Sequence, residues 1–285
     1  MSKLAILYVC TGKYTVFWRE FYDSCEAYFL PNCEKHYFVF TDADSIEHEA
    51  ENAGIHRIFQ QALAWPYPTL LRYKMFLRAE ELLRDFDYIF FFNANAQFVR
   101  EVSEAMILPR AERGEDLVVV RHPGFYNKEN DVFTYDRNPR SRAFIPYGRG
   151  RVYVCGGING GTAEAYLRLC HTISERTDAD LKKGVIALWH DESHLNKYIL
   201  RYRSYRLLTP AYCQPSQPWW KLPYEPVILV RDKADYFDVA PLRGDTPEDQ
   251  SPAWARQLNR VGRKLAHFGA FRALMNLGVT KVEMG

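Results

Sequence analysis

Five consecutive residues, Tyr88-Ile89-Phe90-Phe91-Phe92, carry no charge, and the run stops at Asn93-Ala94-Asn95. A run that short has the length of a strand, and apolar side chains at alternating positions mean that both of its faces are covered. Such a strand belongs inside a layered α/β sheet. Leu4–Val9 is a second run of the same kind, and His36–Phe40 is a third, ending at Thr41-Asp42. Between them, Val16–Tyr28 sets Phe17, Phe21, Cys25 and Tyr28 on one helical stripe. Thr69–Leu83 predicts a helix with Leu70, Tyr73, Leu77 and Glu81 in one row. This alternation predicts a sheet with helices packed on it, and in open sheets of that class ligands collect at the carboxyl ends of strands.

The middle of the chain has a different grain. His122–Gly150 is rich in Pro, Gly, Asn, Arg and Tyr without a sustained period, and its aromatic and basic content favours an ordered binding loop. Val152–Cys155 reads as a strand, Gly156-Gly157-Ile158-Asn159-Gly160-Gly161 as a strand-to-helix turn, and Thr162 to about Glu175 as a helix. Trp189–Arg201 reads as a loop running into a helix, and Val227–Val230 as a late strand. After Asp235 the composition shifts. Residues 1–235 are expected to form one domain, and residues 236–285 a polar linker and a helix. In Trp254–Leu277, Trp254, Leu258, Val261, Leu265, Phe268 and Leu274 face away from Arg256, Arg260, Arg263 and Lys264. Two readings stand side by side: peripheral contact with a membrane surface, or docking on the chain's own domain.

Composition removes several classes. A formal net charge of +2 gives no field that demands nucleic acid. No apolar run approaches the roughly 18 residues that a membrane span needs. The six cysteines, at 10, 25, 33, 155, 170 and 213, form no Cys-x-x-Cys pair and fit reduced thiols in a cytoplasmic protein.

Three segments carry polar chemistry. Asn93 and Asn95 lie two apart at a strand's end, so an extended backbone would aim both to one side. Divalent cations prefer anionic oxygen, so these amides suit phosphate or ribose oxygens better than a metal; a plain Asn turn is the structural alternative. In Trp189-His190-Asp191-Glu192-Ser193-His194-Leu195-Asn196-Lys197, two adjacent carboxylates stand beside two histidines. Retaining glycosyl transfer needs a carboxylate near the anomeric carbon. The rival is a zinc hydrolase using His190 and His194, which share a helix face, although no third ligand follows. A helix start with Asp191 as its cap fits the same residues. The glycines of 156–161 let backbone approach a ligand, but their spacing is neither a dinucleotide loop nor a P-loop.

Taken in order, Asn93-Ala94-Asn95, His122-Pro123-Gly124-Phe125-Tyr126, Phe133-Thr134-Tyr135, Ala143-Phe144-Ile145-Pro146, Cys155-Gly156-Gly157, Gly160-Gly161 and Trp189–Tyr198 resemble glycosyltransferase family six, over roughly Leu4 to Lys233. That family includes the blood-group A and B transferases, the α-1,3-galactosyltransferase and bacterial relatives. The resemblance implies a GT-A fold: a Rossmann-like mixed α/β sheet with helices on both faces, here with a C-terminal helical extension. It also implies a UDP-sugar donor, retention at the anomeric centre and an α-1,3 linkage to galactose. Animal members carry Asp-Val-Asp where this chain has Asn93-Ala94-Asn95. The amide version matches bacterial members that work without metal, so neither metal nor cofactor is expected. The absence of a Golgi anchor points the same way, to a bacterial cytoplasmic enzyme, at most associated with the inner face of the membrane.

By motif, the resemblance places Val9, Cys10, Thr11 and Tyr14 at the uridine, Arg72 at the donor, and Asn93, Ala94 and Asn95 at ribose and diphosphate. It places Cys155, Gly156, Gly157, His190 and Asp191 around the donor sugar, and Glu192 as the catalytic carboxylate, which also meets the acceptor. His122, Thr134 and Trp189 fall at the acceptor. Arg231 and Lys233 are the expected cations for the diphosphate. The A enzyme has Leu-Gly-Gly and the B enzyme Met-Gly-Ala where this chain has Cys155-Gly156-Gly157. Small side chains there leave room for an N-acetyl group, which favours UDP-GalNAc over UDP-galactose as donor. By analogy the acceptor is an oligosaccharide ending in a fucosylated galactose, Fucα1-2Gal, as in the H antigen. A carbohydrate-binding module without catalysis is the remaining competitor.

Overall fold

The computed structural model describes residues 1–217 and 222–238. The elements run β1 (Lys3–Val9), α1 (Trp18–Tyr28), β2 (Glu34–Thr41), β3 (Ile55–Phe59), α2 (Tyr67–Leu70), α3 (Arg72–Phe76), α4 (Glu80–Leu83), β4 (Tyr88–Phe92), β5 (Ala96–Phe98) and α5 (Glu104–Ile107). They continue with β6 (Leu117–Arg121), β7 (Val154–Thr162), α6 (Ala163–Leu181), α7 (His190–Arg201), β8 (Tyr205–Leu208), β9 (Gln214–Pro215) and β10 (Ile228–Val230). The 7-stranded sheet has the order β3-β2-β1-β4-β7-β6-β8, and a 3-stranded sheet has the order β5-β10-β9.

Alternation along β1 shows how the sheet is covered. Leu4, Ile6 and Tyr8 enter one core with Trp18, Phe21 and Cys25 of α1. Ala5 and Leu7 enter another with Tyr73 and Phe76 of α3, Tyr166 and Leu169 of α6, and Leu195 of α7. Both faces therefore carry helices, as an unbroken apolar strand requires. No helix among the described residues is long and apolar enough to cross a membrane. The region from residue 239 onward, with the expected linker and amphipathic helix, lies outside the described residues.

Three expectations need correction. Residues 69–83 are not one helix: α2, α3, a 3-10 turn at Leu77–Ala79 and α4 follow one another. Leu70 and Arg72 are both buried, and a straight helix would set them about 200° apart; the break at Leu71 resolves this. The stripe beginning at Phe17 opens with a 3-10 turn, Gly12–Phe17, and ends on buried Phe29, while Tyr28 is 41% exposed. The glycines of 156–161 are not a turn. They lie inside β7, which pairs antiparallel with β4 on one side and β6 on the other.

The glycines are in that strand because its neighbours come too close for side chains. A Cβ on Gly160 would stand 2.7 Å from the carbonyl oxygen of Ile89 and inside the Phe90 ring. A Cβ on Gly161 would stand 2.9 Å from the Cα of Leu117. Reversal of β7 also fixes where the ligand edge lies. β1 and β4 run parallel and finish together, with Tyr8 beside Phe92, and Phe92 faces Ile158 at the middle of β7, whose first half runs on past that edge. Residues 9–12, 93–95 and 155–157 thus gather on one edge. Replacing Gly160 by Ala should lower stability to urea by about 1–3 kcal/mol through overpacking against β4; an unchanged midpoint would show that the two strands are less tightly apposed.

Candidate active site

The start of α7 is pinned to the start of β7 by one side chain. Asn196 Oδ1 accepts from the Val154 N–H at 3.0 Å, and its Nδ2 donates to Val154 O and Glu192 O, both at 2.9 Å. A single amide closes both backbone groups of Val154 and adds a bond to the Glu192 carbonyl of its own helix. One helical turn earlier, Glu192 faces Gly156. Its Oε2 accepts from the Gly156 N–H at 2.8 Å and its Oε1 from the Tyr153 hydroxyl at 2.8 Å. Burial raises the Glu192 carboxyl above its ordinary range, while those two donors and Arg72 act in the opposite direction.

Beside it lies a buried ion pair. Arg72 Nη1 donates to Asp191 Oδ2 at 2.7 Å, and the guanidinium stacks 4.4 Å from the Phe91 ring centroid. Burial pushes the Asp191 carboxyl up to about 6 although Arg72 pulls it down. Asp191 is not the helix cap; Trp189 holds that position without a side-chain bond. His190 opens the helix in left-handed backbone, φ 50, a costly conformation that clusters at functional sites. Its Nδ1 lies 3.1 Å from the Thr69 hydroxyl, and its ring stands edge-on to Trp65. Burial pushes its imidazole down to about 4, with Arg72 adding to the effect.

The paired-histidine expectation does not hold. His194 is fully buried, and its nearest charged partner, Asp180 at 3.9 Å, is already held by Ser141 and the Arg142 N–H. His190 bonds Thr69 while neither His194 ring nitrogen has a hydrogen-bond partner, and among the described residues no group of three or more His, Cys, Asp or Glu could hold a metal ion.

On the loop side, Tyr153 connects the expected acceptor residues to Glu192. The His122 ring packs edge-on to Tyr153 at 5.6 Å, and Thr134 hydrogen-bonds the Tyr153 hydroxyl. His122 Nδ1 accepts from the Gly124 N–H at 3.0 Å, and burial pushes its imidazole down to about 4, so the ring is neutral with its proton on Nε2. Trp189 is 48% exposed, and no contact joins its ring to this group among the described residues.

The strand-end amides divide. The Asn93 side chain covers Gly157, where a Cβ would stand 2.9 Å from its Cγ, and the Asn93 N–H donates to Gly157 O at 2.7 Å. The Ala94 carbonyl accepts from the Tyr8 hydroxyl at 2.7 Å. Asn95 is 3% exposed, and its Nδ2 donates to the Arg231 carbonyl at 2.6 Å. Arg231 is turned inward as well: its guanidinium pairs with Glu20, donates to Phe17 O and packs on the rings of Phe17 and Tyr236. Lys233 Nζ sits 5.0 Å from the Tyr14 ring centroid, so the segment after β10 crosses back over the residues that follow β1. There Cys10 is fully buried and its thiol is pushed up to about 12 by burial, while Val9 and Thr11 are half-buried. The Cys155 side chain is buried against Cys213.

Sequence reasoning gave no role to Tyr153, Asn159 or Asn196. Asn159 spans from Gly156 O, at 2.9 Å, to the Tyr166 hydroxyl, at 2.7 Å. The signal was an Asn amid glycines of a buried strand and another one helical turn after Glu192. As a whole, the site offers a rigid carboxylate, a buried cation–carboxylate pair, the Asn93 amide and a lysine along one edge, whereas the Asn95 amide is turned inward to the Arg231 carbonyl.

Comparison with known proteins gives the family. The sequence profile of Glycosyltransferase family 6 matches residues 3–224. The chain is similar to the O-antigen biosynthesis glycosyltransferase WbnI of Escherichia coli, 36% identical over 228 residues, which is 80% of this chain and 94% of that protein. It is 30% identical over 206 residues to Histo-blood group ABO system transferase 1 of Rattus norvegicus, covering 70% of this chain and 57% of the relative. Globoside alpha-1,3-N-acetylgalactosaminyltransferase 1 of Gallus gallus is also 30% identical, over 211 residues, covering 70% of this chain and 58% of the relative. The chain thus spans somewhat over half of these two animal relatives. With the profile covering most of its length, and a relative sharing more than a third of the residues across four-fifths of it, the chain belongs to glycosyltransferase family 6.

Proposed function

We propose that this chain is a retaining α-1,3-glycosyltransferase that moves GalNAc from UDP-GalNAc to the galactose of a fucosylated acceptor without a divalent cation. The observation that carries the reading is the Glu192 carboxylate, fixed by the Gly156 N–H and the Tyr153 hydroxyl beside the buried Arg72–Asp191 pair. The bond from the anomeric carbon to the diphosphate breaks and UDP leaves with the electron pair. The galactose 3-hydroxyl then supplies the new bond, and its proton ends on the departing phosphate or on solvent. Glu192 supports the positive charge that grows on the anomeric carbon, as nucleophile or as a stabiliser of same-face attack.

Arg72 and Asp191 would grip the sugar, and His190 would close the donor side. Val9, Cys10, Thr11 and Tyr14 would line the uridine. Neutral amides at 93 and 95 bind divalent cations weakly, so the diphosphate charge would fall to Lys233. Arg231 would act by holding the 231–236 segment in place, because its guanidinium already pairs with Glu20. His122, Thr134 and Trp189 would receive the acceptor around Tyr153. A bacterial cytoplasm fits this reading: a relative covered over 94% of its length belongs to Escherichia coli, and all six cysteines are free and buried.

One observation favours UDP-galactose instead: the Asn93 amide occupies the space above Gly157 that a donor acetamido group would need.

Four measurements test the reading. Purified protein incubated in EDTA with UDP-GalNAc and a fucosylated galactoside should form product. Glu192→Gln should lower kcat by about 100-fold or more, and a near-wild-type rate would remove Glu192 from the mechanism. In Gly157→Ala, kcat/KM for UDP-GalNAc should fall relative to UDP-galactose by about 10- to 100-fold. Asn93 must also shift in that variant and will affect both donors, so the ratio is the readout; an unmoved ratio sinks the volume argument. Lys233→Ala should weaken UDP binding by calorimetry by about tenfold or more, and equal affinity would end its diphosphate role.

A further inference from the structure

Away from the donor edge, a cleft of about 300 Å³ lies between the loop before β7 and the outer face of α7. Arg149 and Arg151 project from the loop side and Arg203 from the chain just after α7. All three are exposed, and no Asp or Glu lines the cleft. Among the described residues, none of these guanidinium groups has a hydrogen bond, an ion pair or a ring contact. Like charges gathered in one concavity raise each other's energy, and low-dielectric walls focus the resulting field.

Three arginines and no carboxylate thus line one cleft of a chain whose formal charge is only +2. The walls are built for the shape. Gly150 takes left-handed backbone, φ 89, and a Cβ there would stand 2.8 Å from the Tyr135 ring. Asn130 donates to Gly150 O at 3.1 Å, and the Tyr135 hydroxyl donates to Val152 O at 2.5 Å. The floor is Asn196, the same side chain that fastens Glu192 to β7. Tyr135 stacks on Tyr153 at 5.4 Å, so one aromatic wall separates the cleft from the catalytic carboxylate.

We propose that this cleft is a second, anion-binding subsite in which Arg149, Arg151 and Arg203 take a phosphate or carboxylate group. Arginine's planar fork suits either oxyanion. The anion arrives free or as a substituent of the acceptor glycan; the second source rests on the glycosyltransferase reading, the first does not.

The test uses the full chain saturated with UDP, so that the donor site cannot take the probe. Inorganic pyrophosphate is titrated by calorimetry into wild type, into Arg151→Ala/Arg203→Ala, and into Lys182→Ala/Lys183→Ala, which removes the same charge from an exposed stretch elsewhere. Pyrophosphate should bind wild type and the lysine control alike, and at least about tenfold more weakly to the arginine variant. No binding to wild type, equal binding to the arginine variant, or an equal loss in the lysine control overturns the proposal. A second arm compares KM for two acceptors that differ only in a phosphate or a hydroxyl at the end remote from the reacting galactose. If the arginine variant raises KM for the phosphorylated acceptor alone, the anion comes with the acceptor. If neither KM moves while pyrophosphate binding is lost, the ligand is a free anion. Transfer to the neutral acceptor reports separately on the proposed activity, because none of the three arginines belongs to the transfer machinery.

Discussion

The close apposition of β7 to β4 and β6 governs where everything else can stand. Glycine at 160 and 161 lets a reversed strand enter a sheet whose other members near it run in parallel pairs. Without that close approach, the glycine backbone would not reach the edge at which β1 and β4 finish. The Gly156 N–H would then have no carboxylate to meet, and the Asn93 amide would have no bare α-carbon to lie across. A requirement of strand packing thus becomes a requirement of chemistry, and small residues serve both.

Burial sets the electrostatic character of the edge. Asp191 and Arg72 are both almost wholly buried, so their charges depend on each other, and the Asp191 carboxyl still titrates near 6. Removing either partner would leave an uncompensated charge in a dry place. Glu192 is held differently, by a backbone N–H and a phenol, both neutral donors. Its negative charge is steadied without being cancelled, which is the state a group needs if it is to respond to positive charge appearing nearby. The inward-turned Arg231 shows the opposite use of a cation: with its charge met by Glu20, it serves as a rivet between the 231–236 segment and α1.

Much of this was legible before any coordinates. Continuous apolar runs marked β1, β2 and β4, because a strand covered on both faces has little room for polar side chains. The Trp189–Tyr198 string placed the carboxylates at the head of a helix, where they are found. The glycine run was misread because glycine signals both a turn and a close approach, and only the partner strands decide between them. The helical stretch at 69–83 was read as continuous because periodicity cannot report a kink that turns one buried arginine inward. β3, β6 and β8 went unmarked; β3 alternates weakly, and β6 and β8 gain their meaning from pairing. Tyr153 was missed since a lone tyrosine in an apolar strand looks like core until its hydroxyl is seen to reach Glu192.

The grip of Asn196 on both Val154 and Glu192 has a further consequence. The strand that carries Gly156 and Gly157 and the helix that carries Glu192 are riveted into one rigid piece. Under the proposed mechanism, a substitution that widens or narrows the pocket from β7 would therefore also nudge Glu192. In an enzyme wired this way, a lineage that drifts toward a new donor must retune its turnover at the same time, and selectivity and rate are inherited together.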